Sequence, residues 1–173
     1  MKTYKSLPPG RVHELRMGVT TNRKGKPENI PYLDFLSSMR QVIKSELVII
    51  DEVGRVEIKY NPGNPTWDES PILFRSVKRH LPKRPKMSLY LYNAVGSSLD
   101  IYHGVDIFFL WKGVFVTIDL SLHEKQLRST VDLVVNLEGM DDEAFDVLGK
   151  QIADLLKKRR FNNKLSSFIL NPD

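Results

Sequence analysis

The chain contains no cysteine, which excludes disulfide scaffolds, thiolate zinc centres and cysteine nucleophiles. It has no apolar run near the roughly 18 residues that a membrane helix requires. Its opening residues, Met1-Lys2-Thr3-Tyr4-Lys5-Ser6, hold no apolar signal core. A cytoplasmic protein with no membrane partner is therefore expected. Also missing are a P-loop, a Rossmann glycine-rich turn, a Gly-x-Ser-x-Gly elbow and a His-Glu-x-x-His helix, which removes most nucleotide-cofactor and triad-hydrolase chemistry. What remains is an ordinary globular composition, 41% hydrophobic and 27% charged over 173 residues. That length fits one domain with a core of its own. The net charge of +5 favours a polyanionic partner, with nucleic acid first among them.

Residues 1–31 are rich in Lys, Arg, Pro, Gly and Asn and read as a basic, weakly structured N-terminal arm. Residues 32–173 read as a single α+β domain. Leu33, Leu36, Met39, Ile43 and Leu47 recur at helical spacing and predict a helix over about 32–47. A short hairpin is expected over 47–60, around Asp51-Glu52-Val53-Gly54. Ser70-Pro71 is a cap followed by proline at the first helical position, and Leu73, Val77 and Leu81 continue that helix over about 71–81. Four strand candidates follow at 87–95, 99–111, 114–122 and 130–137. The last helix spans about 141–160, with Phe145, Leu148, Ile152, Leu155 and Leu156 on one stripe. Its acidic first turn and basic last turn suit the helix dipole. The expected fold is a central, mostly antiparallel β-meander with helices on its apolar face.

The tightest local inference concerns the hairpin within 105–120. Val105–Trp111 and Val114–Leu120 are two β-rich runs separated only by Lys112-Gly113. Two residues close a tight hairpin, with glycine taking positive φ. Pairing Trp111 with Val114 then sets Phe109 opposite Val116, Ile107 opposite Ile118, Val105 opposite Leu120, and Asp106 opposite Asp119. Directly opposed side chains lie roughly 5 Å apart, and like charges there destabilise a sheet. At an effective dielectric near 20 the repulsion is about 3 kcal/mol, and a divalent cation is the obvious offset. On this register Asp106, Asp119, His123 and Lys125 share one face with Asp100, Tyr102 and Gly104. Such a set suits Mg²⁺ or Mn²⁺, which take oxygen ligands and keep water and substrate phosphate in their other positions. Lys125, or His123, would then position the phosphate and stabilise the charge that develops on it.

A carboxylate at a hairpin strand, about a dozen residues, then an acid on the partner strand resembles the PD-(D/E)XK nuclease superfamily. The motif covers Asp106 to Ser121. The surrounding order of helix, strands and helix is similar to that superfamily's α–βββ–α core. The resemblance implies a restriction-endonuclease-like core, with Asp106 and Asp119 as metal ligands and phosphodiester hydrolysis as the activity. Two positions depart from it: Val105 stands where the motif has proline, and Ser121 where it has lysine. A third carboxylate would come from Glu46 or Asp132. Glu57-Ile58-Lys59, with Asp51 upstream, is a literal Glu-x-Lys that reads as charges guarding an edge strand. His103 reads as a surface or hydrogen-bonded residue rather than a ligand.

Six cations, Arg75, Lys78, Arg79, Lys83, Arg84 and Lys86, with His80 among them, form a second candidate surface. On one helix face and the following turn they could track a phosphate backbone, or simply be solvated. Two functions remain open. One is a metal-dependent nuclease acting on nucleic acid, most readily DNA. The other is a non-catalytic nucleic-acid-binding or protein-inhibitor module on a degenerate nuclease-like scaffold, with a protein partner or homodimer as its further option. Ser121 in the lysine position favours the second.

Overall fold

Asp34 opens the first helix: its carboxylate accepts the Ser37 N–H at 3.0 Å and caps α1 (Phe35–Lys44). The structure, a computed structural model, describes residues 30–45, 48–50, 56–66, 68–83, 88–121 and 130–162. Most of the expected basic arm therefore lies outside the described residues. β1 (Val48–Ile50) and β2 (Val56–Lys59) pair antiparallel as a separate two-stranded sheet. α2 (Ser70–His80) holds Pro71 in its first turn, where a missing N–H costs nothing. Ser70 is itself helical rather than the cap.

The main sheet has the order β3 (Leu89–Asn93), β4 (Ile107–Trp111), β5 (Val114–Leu120), β6 (Leu133–Val135). The expected hairpin register is the observed one, from Trp111↔Val114 to Ile107↔Ile118. Both turn residues have positive φ, Lys112 at 50° and Gly113 at 76°, the conformation that matches strand twist.

Two expectations need correction. The proposed strand 99–111 is strand only from Ile107, because Ser98–His103 forms a short helix, α3. The Ser97 hydroxyl accepts the Leu99 N–H at 3.2 Å, and Asp100 Oδ2 accepts the Gly96 N–H at 2.6 Å. That reciprocal cap is spelled by Ser97-x-x-Asp100. Gly104, at φ 69°, ends the helix in the left-handed conformation. Second, β6 pairs parallel to β5, through Ile118↔Leu133, Asp119↔Val134 and Leu120↔Val135. The sheet is mixed, since parallel neighbours cannot be joined by a tight turn and need a longer connection.

α4 (Asp142–Asn162) completes the fold. On one face of the sheet, Ile107, Phe109, Val116 and Ile118 pack with Leu73 and Val77 of α2 and with Phe145 and Ile152 of α4. On the other, Phe108 and Leu110 pack with Met39 and Val42 of α1, Leu99 of α3 and Tyr60. Val105 belongs to this second core, not to the Ile107 face. β4 is buried along its whole length, as expected of a central strand covered on both sides. No helix among the described residues is long and apolar enough to cross a membrane.

Candidate functional site

Asp106 directly precedes β4, and Asp119 is the penultimate residue of β5, so both acids stand at one end of the hairpin. The expected register does not continue there: the pairing ends at Ile107↔Ile118, and Val105 and Leu120 fall in different cores, so Asp106 is not paired with Asp119 in the ladder. The Asp106 N–H donates to Ile118 O at 3.0 Å, and its carbonyl serves β3 by accepting the Ala94 N–H at 2.7 Å. The Leu120 N–H donates instead to Asp106 Oδ2 at 2.6 Å. One oxygen of Asp106 thus replaces a ladder carbonyl, and this holds the carboxylate against the residue next to Asp119.

Exposure is 6% for Asp106 and 8% for Asp119. Thr117 and Ser121, which share the Asp119 side of β5, are buried as well. The expected open polar surface is therefore an interior one, beneath the layer of α1 and α3. Asp100, Tyr102 and Gly104 leave the strand face altogether, because they belong to α3 and its C-terminal turn. His123 and Lys125 lie outside the described residues, as do Glu46, Asp51, Arg84 and Lys86. The side chains of Glu57 and Lys59 are likewise outside the description.

Asp132 is committed elsewhere. Its carboxylate pairs in a fork with Arg159, with Arg159 Nη1 at 2.8 Å from Oδ2. Oδ2 also accepts the Thr117 N–H at 2.8 Å and the Thr117 hydroxyl at 3.0 Å. Planar bidentate pairing of this kind is strong and geometrically demanding. It ties α4 to the β5–β6 edge and removes Asp132 from the set of third ligands. Among the described residues, no three His, Asp or Glu side chains are grouped to hold a metal ion. His103 is buried, with Nε2 at 2.9 Å from Leu33 O, a structural position rather than a ligand's.

The basic candidates divide. Arg75, Lys78 and Lys83 are exposed. Arg79 is also exposed but pairs with Asp146 Oδ1 at 2.8 Å, and His80 Nε2 lies 3.1 Å from the same oxygen. Burial alone would raise the Asp146 carboxyl. Hydrogen bonds from His80 and Ser76, with the charges of His80 and Arg79, hold it below its usual range. This cluster sits in the seam between α2 and α4, where Gly149 meets Ser76. At the end of α4, Lys157 pairs with Asp154 at 2.6 Å and Arg160 donates to Lys112 O at 2.9 Å. Those cations brace the hairpin tip and their own helix, beyond the dipole effect expected of them.

The Thr117–Asp132–Arg159 network was not foreseen. Its members are 15 and 27 residues apart, and no local spacing announces such a contact. No protein-family model matches this chain, and no curated protein or solved structure is found similar to it.

Proposed function

We propose that this protein acts on nucleic acid at a divalent-cation site formed by Asp106 and Asp119, hydrolysing phosphodiester bonds with Mg²⁺ or Mn²⁺. The observation that carries this reading is the placement of both acids at one end of the β4–β5 hairpin, with Asp106 held against β5 by the 2.6 Å bond from Leu120. Mg²⁺ is commonly held by one or two carboxylates, with water and substrate phosphate completing its shell, so two acids fit the donor requirement. When bound, the cation would supply a water of lowered pKa and neutralise phosphate charge. The protein's own share is to fix the two carboxylates at the end of paired strands, with Lys125 or His123 as the expected phosphate-positioning groups. The antiparallel set β3–β4–β5 is what supports the α–βββ–α resemblance, with α3 inserted after β3 and the parallel strand β6 standing before α4.

Binding without cleavage is the second reading, favoured by Ser121 standing two residues after Asp119 where the nuclease motif has lysine. The two separate in one assay: labelled single- and double-stranded DNA incubated with Mg²⁺ or Mn²⁺, native chain beside Asp119→Asn. Metal-dependent cutting that disappears in the variant is expected. Salt-sensitive binding with no cutting by either chain overturns the catalytic reading and leaves the scaffold one.

A further inference from the structure

We draw no further inference here: the strongest candidate, the exposed row of cations Arg75, Lys78 and Lys83 along α2 and the turn after it, carries nothing beyond its charge, because nothing in the structure shows what covers it.

Discussion

Gly149 is the position at which the α2–α4 seam is most exactingly set, and replacing it tests the architecture under the basic helix. A Cβ built there would lie 2.1 Å from Ser76 Oγ, 2.6 Å from Ser76 Cβ and 2.8 Å from the Ser76 carbonyl carbon. The last of these is backbone, so rotating the serine side chain cannot relieve the contact, and the helices must part. Overpacking of a tight interface costs about 1–3 kcal/mol. Glycine to alanine in an exposed helix interior would instead gain about 1 kcal/mol from propensity. The two terms have opposite sign, and the measured sign decides between them. Gly149→Ala should be destabilised by up to about 2 kcal/mol net, a fall in melting temperature of up to about 8 °C for a chain of this size. Urea unfolding followed by circular dichroism reads it directly. Ser76→Gly in the same background removes the Oγ and Cβ contacts and should recover part of the loss. A Gly149→Ala midpoint above the native one would refute the close approach of the two helices.

Asp106→Asn keeps a carbonyl oxygen for the Leu120 N–H, so its stability should stay near native. Asp106→Ala leaves that buried donor unmade and should cost about 1–3 kcal/mol in urea unfolding; equal stabilities would refute the ladder-replacing role. Asp146 is held below its usual range by His80, Ser76 and Arg79, so its contribution is present above the ordinary carboxylate pKa and lost as pH falls through the folded value. The stability gap between the native chain and Asp146→Asn should accordingly be open near neutrality and close as pH drops below roughly 4, and a gap that widens in acid would contradict the pairing. Tyr60 is buried, and its hydroxyl donates to Leu91 O at 2.8 Å. Burial pushes that hydroxyl far above its usual range, with Tyr92 adding to the effect, so Tyr60→Phe should cost about 1–2 kcal/mol at any pH where the protein is folded.

The sequence was most legible where chemistry is local. The Lys112-Gly113 turn and the alternation around it set the β4–β5 register residue by residue. The Phe145–Leu156 stripe placed α4 and its buried face. The same logic failed at 98–103, where Leu99 and Ile101 suit a strand as well as one helical turn. There Ser97 and Asp100 decide the matter through caps that hydropathy does not see. It failed again at β6, because parallel pairing depends on the path of the connection rather than on the strand. The site was legible only in part. The register brought Asp106 and Asp119 to one end, but Phe108 and Leu110 also make the acid-bearing side of the sheet a core face. Asp132 was lost to Arg159, a partner 27 residues away.

At the end of the hairpin β5 is a central strand, paired with β4 on one side and β6 on the other. Its successive N–H groups point to opposite neighbours, that of Leu120 to Asp106 and that of Ser121 to Val135 O at 2.9 Å. Asp119 therefore stands at the carboxyl end of the parallel pair β5–β6, the edge at which open sheets with parallel strands place their ligands. The hydrogen bonding there bears on the repulsion that first pointed to a cation. The strand register ends at Ile107↔Ile118, and beyond it the Asp106 N–H bonds Ile118 O while its carboxylate takes the Leu120 N–H. A hydrogen bond to a charged group contributes roughly 1.5–3 kcal/mol, so the fold supports the Asp106 carboxylate with its own backbone. Cation binding is then to be measured as affinity and as cutting rather than read from a like-charge cost.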